Sequence, residues 1–314
     1  MLAARGRGGA RQPVPGANRP AVLPVNGGKR TATALARPPG GQPTRAVLAT
    51  ALSQCCTDNG GMTQLIVIRH GETDWNRQHR FQGQIDVPLN ALGLEQARRL
   101  GQRLAAEWRD GPAVGPIGQI SPTGPIGALV VSDLQRARQT AQPLADTLGR
   151  PAQVQPLWCE QGFGILEGLD VPTIRSRHAG LWAQWLRHDA DYALPQGGES
   201  NTAFHARVMQ ALQAVLASPA GQAGAPVVVV THGGVLDMLW RTVHGLSLTG
   251  PRECEIPNTG INRLRWADGR LGIDGWADVA HLDGLPAQPS TVQARVPAAL
   301  PTSLPPVDPD SAAQ

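Results

Sequence analysis

The stretch Leu65-Ile66-Val67-Ile68-Arg69-His70-Gly71-Glu72-Thr73 decides the fold of this chain. Four apolar residues in a row are typical of a parallel strand that is covered on both faces. An arginine and a histidine follow at once, and Gly71 allows the backbone to turn close to a ligand. Because open α/β sheets bind ligands beyond the carboxyl ends of their strands, we expect Arg69 and His70 to lie at the mouth of a site.

An arginine beside a histidine at a strand end indicates phosphate chemistry. The planar guanidinium group pairs with two phosphate oxygens at once, and an imidazole can act as the nucleophile in covalent catalysis. The alternative is a strand that ends in a polar turn with a chance histidine. A chance match to Arg-His-Gly-Glu-Thr in a chain of this length has a probability of about one in ten thousand. A functional interpretation is therefore favoured if the necessary partners occur elsewhere.

A second strand repeats this arrangement. Residues 227–230 are four valines that lead into Thr231, His232 and two glycines, and a helix follows. The amino-terminal end of a helix offers free N–H groups and partial positive charge, which favour an anion. A single histidine after a strand is usually structural. Two histidines in matching positions favour one shared site.

Two more polar groups follow other predicted strands. Arg136 lies in the first turn of a helix that follows a strand at residues 128–131. Glu160 follows a third predicted strand at residues 152–158, and a carboxyl group near a phosphate can protonate a leaving oxygen. Taken alone, Glu160 is more typical of an ordinary acidic loop residue. Its position after a strand makes it a candidate for the same site.

The remaining pattern alternates strands with helices. Apolar residues three and four apart predict helices after Asn90 and after the Ser132-Asp133 pair, both suitable caps, and Pro143 predicts a kink or a break in the second helix near Gln142. Further predicted elements are a tryptophan-rich helix at residues 181–186, a helix at residues 200–216, a helix that starts behind His232, and weak strands at residues 261–266 and 271–276. The pattern predicts an α/β fold, a three-layer α/β/α sandwich with a mostly parallel central sheet.

The two ends of the chain differ from its middle. Residues 1–61 are rich in Gly, Pro, Ala and Arg, and residues 285–314 are rich in Pro, Ala and Ser, so neither segment can bury a core. We expect both to be disordered. One catalytic domain is expected at residues 62–284, with Met62 as a natural start and a flexible Gly/Pro loop at residues 111–127. A transit peptide and a nucleic-acid-binding arm are the alternatives for the amino-terminal segment.

The charge distribution argues against a nucleic-acid-binding protein. The chain has 28 basic and 24 acidic residues, but eight of the basic residues and none of the acidic ones lie within residues 1–57. The remainder is therefore acidic on balance. No apolar run approaches the roughly 20 residues of a membrane span. The four cysteines lack the spacing of zinc ligands, so we expect free thiols, a cytoplasmic protein, no metal and no cofactor.

Together these motifs resemble the histidine phosphatase superfamily, which includes the cofactor-dependent phosphoglycerate mutases. The resemblance runs in order from about residue 62 to about residue 268. The segments that carry it are residues 69–76, the helix with Arg136, Glu160 with Phe163 and Gly164, Thr231-His232-Gly233, and the substrate-side loops at residues 81–89 and 197–200. The resemblance implies the phosphoglycerate mutase-like fold.

The resemblance also implies a role for each motif. His70 attacks phosphorus and becomes phosphohistidine, and Glu160 gives a proton to the departing alkoxide before it helps water attack the phosphohistidine. The residues expected to hold the phosphoryl oxygens or the substrate are Arg69, Asn76, Gln82, Gly83, Arg136, His232 and Gly233. No metal is needed, because arginines and histidines supply the positive charge. Activity should fall below about pH 6, because His70 must be unprotonated to attack.

Mutases and phosphatases of the superfamily share these residues, and the segment between Glu160 and His232 separates them. Mutases carry a longer insertion there, with a basic cluster that binds the phosphoglycerate carboxylate and excludes water. The segment is short in this chain and carries Trp182 and Trp185. We therefore expect hydrolysis of a small phosphomonoester. A phosphoglycerate mutase is the alternative, and a non-catalytic protein that binds a phosphorylated ligand on the same fold is a third hypothesis.

Four cations of this segment leave substrate recognition open. They either bind an anionic substrate or form a solvated helix face, and they are Arg175, Arg177, His178 and Arg187. The expected partner is a small phosphorylated metabolite rather than a nucleic acid or a membrane. The sequence does not distinguish a monomer from a homodimer.

Overall fold

A six-stranded sheet with helices on both faces forms the core of the computed structural model, which describes residues 62–109, 126–288 and 290–291. The predictions for residues 1–61, for most of the loop at residues 111–127 and for residues 292–314 lie outside this part of the chain. Among the described residues, no helix is long and apolar enough to cross a membrane.

The strands of the sheet are β1 (Thr63–Arg69), β2 (Ala128–Val131), β3 (Gln153–Val154), β4 (Val227–Thr231), β5 (Ile261–Ala267) and β6 (Arg270–Asp278). Their order across the sheet is β3-β2-β4-β1-β5-β6. Strands β1 to β4 pair in parallel, whereas β5 and β6 are antiparallel to their neighbours. The prediction of a mostly parallel sheet is confirmed, and so are the two weak strands near its end.

The register of the two central strands brings the predicted histidines together. In the pairing of β1 with β4, Arg69 lies opposite Thr231. The next residue on each strand is a histidine, and both chains leave the sheet at the same edge. Strand β2 lies on the other side of β4, so Ser132 leaves the sheet next to His232.

The helices are α1 (Asp74–Arg77), α2 (Ala91–Arg109), α3 (Gln135–Leu148), α4 (Val171–Arg177), α5 (Ala179–Trp185), α6 (Asn201–Leu216), α7 (Pro219–Gln222) and α8 (Gly233–His244). Alternate residues of the strands pack on opposite sides, as the pleat of a strand requires. Leu65 and Val227 belong to a core with α6 and α8, while Ile66 and Val228 belong to a second core with α2 and α3. The three-layer arrangement is confirmed.

Helix α3 starts differently from its prediction. Ser132 and Asp133 precede the helix, but the N–H of Gln135 donates to Asp86 Oδ1 at 2.6 Å, so the cap comes from a distant loop. Pro143 lies inside a continuous helix, so of the kink or break predicted near Gln142 the break does not occur. Helix α2 packs closely against this part of α3, since a Cβ added at Gly101 would lie 3.1 Å from the carbonyl carbon of Pro143.

The third predicted strand is shorter than expected. Only Gln153–Val154 pairs with β2, and Pro156–Trp158 forms a 3-10 turn. Proline has no N–H to donate to a neighbouring strand, so pairing stops before it. The tryptophan-rich helix predicted at residues 181–186 is confirmed as α5, and the short helix α4 before it was not predicted. The helix predicted at residues 200–216 is confirmed, with Ser200 as its cap.

Candidate active site

The two strand-end histidines form the centre of the site. The ring centroids of His70 and His232 are 5.2 Å apart, and both side chains are buried. Each ring follows a central strand of the parallel part of the sheet. The two histidines therefore lie close together at one edge of the sheet, as the sequence predicted.

His70 is held in one tautomer. Its Nδ1 lies 2.7 Å from the carbonyl oxygen of Gly71, which can only accept a hydrogen bond, so Nδ1 carries the proton. This leaves the lone pair on Nε2. The side chain of Asn258 donates to the carbonyl of His70 at 2.9 Å, and the N–H of Gly71 donates to Thr140 Oγ1 at 2.9 Å. The backbone on both sides of the ring is thereby fixed.

The electrostatic surroundings keep His70 neutral. Burial lowers the pKa of His70 well below its ordinary value of 6.5, and the charges of Arg136 and Arg69 lower it further. A neutral imidazole with a free lone pair on Nε2 is the form that acts as a nucleophile.

The ring of His232 forms a hydrogen bond with Ser132, which follows the neighbouring strand β2. Its Nε2 lies 2.8 Å from Ser132 Oγ, and its Nδ1 has no hydrogen-bonding partner among the described residues. Burial, followed by the charge of Arg136, lowers the pKa of His232 well below 6.5. A neutral ring can donate one hydrogen bond to a bound anion, or accept a proton from it.

Two buried guanidinium groups lie beside the histidines. Arg69 Nη1 donates to the carbonyl of Ile256 at 2.6 Å, and Arg136 donates to the carbonyls of Gly83 and Ile85 at 2.6 and 2.8 Å. The Nε atoms of both arginines have no partner within the described part of the chain. Burial lowers the pKa of Arg69 to about 10, so it stays charged at neutral pH. Together they provide a strongly positive environment for an anion.

Glu160 is held at the start of α8. The N–H of Gly234 lies 3.1 and 3.2 Å from its two carboxylate oxygens, and the N–H of Gln161 donates to Oε1 at 2.9 Å. The glycine at position 234 leaves room for this carboxyl group, because an added Cβ would lie only 2.3 Å from Glu160 Oε1. The carboxyl group therefore has a defined place opposite the cations.

Arg69, His70, Arg136 and Glu160 line one cleft of about 680 Å³, together with the other predicted binding residues apart from the buried His232. Asn76 Oδ1 accepts from the N–H of Thr73 in the capping box of α1, and Gln82 Oε1 accepts from the Thr73 hydroxyl. Gly83 has a φ of +50°, and its carbonyl accepts from Arg136. Gly233 is the first residue of α8.

Aromatic side chains also line the cleft, together with the further cations Arg77 and Arg80. Its aromatic residues are Trp75, Phe81, Phe163, Trp182 and Trp185. The rings of Trp182 and Trp185 stack with centroids 5.2 Å apart. By contrast, none of the residues that line this cleft in the described part of the chain is one of the four cations Arg175, Arg177, His178 and Arg187. The interpretation of those four as a solvated helix face is favoured.

The sequence also matches a known protein family. A sequence model of the histidine phosphatase superfamily (branch 1) matches residues 65–279, which is more than half of the chain. The chain belongs to the histidine phosphatase superfamily. The matched region contains every residue predicted for the site.

Some relatives of this chain are named as phosphatases and others as phosphoglycerate mutases. A metal-independent phosphoserine phosphatase of Arabidopsis thaliana is 32% identical over 225 residues, which cover 71% of this chain and 85% of that protein. A probable phosphoglycerate mutase, GpmB, of an Enterobacter species is 31% identical over 227 residues, covering 71% and 96%. The structure of a mycobacterial glucosyl-3-phosphoglycerate phosphatase is similar, with a TM-score of 0.53, 28% identity, and coverage of 68% and 98%.

Several residues of this histidine phosphatase site were not predicted. Asn258 and Arg252 come from the loop before β5, and the structure places both at the cleft. Ser132 was predicted only as a helix cap, although its position after β2 is a signal for the site. Residues 286–288 and 290–291 also line the cleft, although the sequence assigns them to a disordered tail.

Proposed function

We propose that this protein hydrolyses a small phosphomonoester through a phosphohistidine intermediate on His70, without a metal. The observation that carries the proposal is the state of His70. Its proton is held on Nδ1, Nε2 has the lone pair, and two buried guanidinium groups lie close by. Among the described residues, no group of three or more metal-binding side chains comes together.

In the first step, His70 Nε2 attacks phosphorus in line with the leaving oxygen. A P–N bond forms while the P–O bond to the alcohol breaks, and Glu160 gives its proton to the departing alkoxide. Arg69, Arg136 and the partial positive charge at the amino-terminal end of α8 offset the negative charge on the phosphoryl oxygens. His232 completes this set of groups around the phosphoryl oxygens. The set is already in position before substrate binds.

In the second step, water replaces the alcohol beside Glu160. The carboxylate takes a proton from the water, a P–O bond forms, and the P–N bond to His70 breaks. The products are inorganic phosphate and the original neutral imidazole. Glu160 regains the proton that it gave away, so the cycle closes with no other reagent.

A phosphoglycerate mutase is the second candidate, because a relative of 31% identity carries that name. Hydrolysis is favoured over isomerisation because the segment at residues 161–200 is short and contributes aromatic side chains to the cleft, while its cations Arg175, Arg177, His178 and Arg187 lie outside it. In a mutase, the phosphoryl group must return to the substrate before water reaches it.

The two candidates are separated by following 3-phosphoglycerate with ³¹P NMR. We expect inorganic phosphate to form faster than 2-phosphoglycerate, and we expect phosphate release from simple alkyl and aryl phosphates as well. Faster formation of the 2-isomer would establish the mutase. If no phosphomonoester is turned over, the third hypothesis, a non-catalytic binding protein, replaces both.

A further inference from the structure

Glu160 lies on a stretch of chain that belongs to no helix or strand. Residues 159–163 connect two 3-10 turns, at Pro156–Trp158 and Gly164–Leu166, so no regular pattern of backbone hydrogen bonds fixes them. The N–H of Gly234 holds the carboxylate of Glu160, but it does not hold the backbone behind it. The position of that backbone therefore depends on contacts with other parts of the chain.

The guanidinium group of Arg207, on α6, makes three of these contacts. It has five N–H groups, and each of them donates to an acceptor. Three of the bonds reach the carbonyl oxygens of Leu157, Cys159 and Glu160, at 3.0, 2.8 and 3.0 Å. The other two reach Glu199 Oε1 and Oε2, at 2.9 and 2.6 Å. One planar group thereby fixes the backbone that leads into Glu160.

Glu199 holds the other end of the same stretch. Its Oε2 accepts from the N–H of Gly162 at 2.9 Å, and its own N–H donates to the carbonyl of Gly162 at 2.8 Å. Gln84, in the substrate-side loop, donates to the carbonyl of Glu160 at 3.1 Å and to Glu199 Oε2 at 3.4 Å. The ion pair of Arg207 and Glu199 therefore holds the backbone before and after Glu160.

The ion pair is itself fixed in place by packing. The side chains of Arg207 and Glu199 are only 18% and 23% exposed. The guanidinium carbon of Arg207 lies 4.9 Å from the centre of the Phe204 ring, which is three residues earlier on α6. The same ring lies against the start of α8, since a Cβ added at Gly234 would be 2.9 Å from it. Arg207 therefore packs against the ring that also contacts the helix end that binds the carboxylate.

We propose that Arg207 is a positioning residue for Glu160, and that it acts through the geometry of its hydrogen bonds rather than through its charge. The inference rests on the proposed hydrolysis, and it concerns the step in which Glu160 gives a proton to the departing alkoxide. Within the described part of the chain, Arg207 is not one of the residues that line the cleft, so we expect it not to touch the substrate. Its loss should slow those substrates whose leaving group needs a proton.

The test compares glycerol 3-phosphate, whose alkoxide needs a proton to depart, with p-nitrophenyl phosphate, whose phenolate needs little. The quantity measured is kcat/KM, which covers only the steps up to departure of the alcohol. In Arg207→Lys, we expect it to fall by roughly 10- to 100-fold for glycerol 3-phosphate and by about threefold or less for p-nitrophenyl phosphate. Lysine keeps the charge, but its single nitrogen has three N–H groups and cannot serve five acceptors.

The matched control is Arg175→Lys, which makes the same change at an exposed arginine outside the cleft. It should leave kcat/KM unchanged for both substrates. Thermal unfolding of each variant measures its folding. Glu199→Gln keeps the shape of the side chain but removes one charge of the ion pair. It should shift the ratio of the two kcat/KM values in the same direction, and it provides the test if Arg207→Lys does not fold.

A double variant shows whether Arg207 acts through Glu160. Glu160→Gln alone should lower kcat/KM for glycerol 3-phosphate relative to p-nitrophenyl phosphate. Arg207→Lys added to Glu160→Gln should lower this ratio no further, because a missing acid cannot also be misplaced.

Two outcomes would overturn the inference. One is an unchanged ratio in Arg207→Lys and Glu199→Gln, whether or not both rates fall, because a general loss of stability affects both substrates alike. The other is a further fall of the ratio when Arg207→Lys is added to Glu160→Gln. Failure of the proposed function gives a different result: Glu160→Gln itself would leave the ratio unchanged, or the wild type would hydrolyse neither substrate.

Discussion

At the scale of single residues, the proposed chemistry depends on the protonation state of His70. The carbonyl of Gly71 fixes the proton on Nδ1, and the Asn258 side chain fixes the backbone behind the ring. Burial and the charges of Arg136 and Arg69 lower the pKa of the imidazole. The nucleophile is therefore neutral and oriented at neutral pH.

The lowered pKa of His70 predicts how activity depends on pH. Lowering a histidine pKa keeps the ring unprotonated to lower pH, so kcat/KM of the wild type should persist as the pH falls through 6.5 and decline only at more acidic pH. The sequence alone predicted the decline below about pH 6, near the pKa of a free imidazole. The structure therefore extends the active range towards acid, and a pH profile of kcat/KM measures it.

Arg136→Gln tests the cause of this shift, because Arg136 is the charge that lowers the pKa of His70 most. The variant should be much less active, and the acid limb of its remaining kcat/KM should move to higher pH. Arg138→Gln, which removes an exposed cation on the same helix, is the matched control and should leave the limb in place. An unchanged limb in Arg136→Gln would show that its charge does not act on His70.

At the scale of elements, the amino-terminal end of α8 holds Glu160 through Gly234. In Gly234→Ala, the new methyl group would lie 2.3 Å from Glu160 Oε1, so the carboxyl group must leave its place. We expect kcat for an alkyl phosphate to fall by roughly 10²- to 10³-fold, within the usual contribution of a general acid. The loss should be smaller for p-nitrophenyl phosphate, because its leaving group needs little protonation.

Gly180→Ala is the control for this substitution, since Gly180 is also helical and has nothing within 4 Å of an added Cβ. It should keep full activity. Thermal unfolding of both variants separates a local displacement of Glu160 from a loss of folding, because Gly234 also lies close to Phe204. An equal loss of kcat on both classes of substrate would contradict the acid role of Glu160.

Residues 286–288 and 290–291 hydrogen-bond to the loop that contacts His70 and Arg69. The N–H of Asn258 donates to Gln288 Oε1, and the N–H of Ile256 donates to Thr291 Oγ1, both at 2.6 Å. Asn258 in turn donates to the backbone of His70, and the carbonyl of Ile256 accepts from Arg69. These bonds connect the segment to both residues of the opening motif.

Truncation of the chain tests this support. A chain that ends at residue 284 loses these bonds, and we expect kcat to fall by roughly tenfold, the worth of one or two net hydrogen bonds. A chain that ends at residue 291 retains them and should keep the activity of the full chain. Steady-state kinetics of the two truncations measures the difference, and equal kcat values would show that the segment does not position the site.

At the scale of the whole molecule, the sequence predicted the parts of the fold that depend on local patterns. Strands β1 and β4 were predicted correctly because uninterrupted apolar runs are specific for buried parallel strands. The cap of α3 could not be predicted, because Asp86 reaches it from a loop 49 residues away in the sequence. The third strand was predicted too long, since its length depends on where Pro156 ends the pairing with β2.

The same division applies to the site. Residues that follow strands could be predicted, because topology alone brings His70, Arg136, Glu160 and His232 to one edge of the sheet. Asn258 and Arg252 could not, because their loop takes its position from Arg241 and from the segment at residues 286–291. The limits of the catalytic domain at residues 62 and 284 stay a prediction.

The most direct test of the mechanism is the capture of the intermediate. The protein is mixed with a ³²P-labelled phosphomonoester, quenched within milliseconds in denaturant, and digested for peptide mapping. We predict label on the peptide that contains His70, stable in alkali and lost in acid as phosphohistidine is, and absent from His70→Ala. Label on another residue, or turnover by the wild type with no labelled protein at any time, would contradict a phosphohistidine on His70.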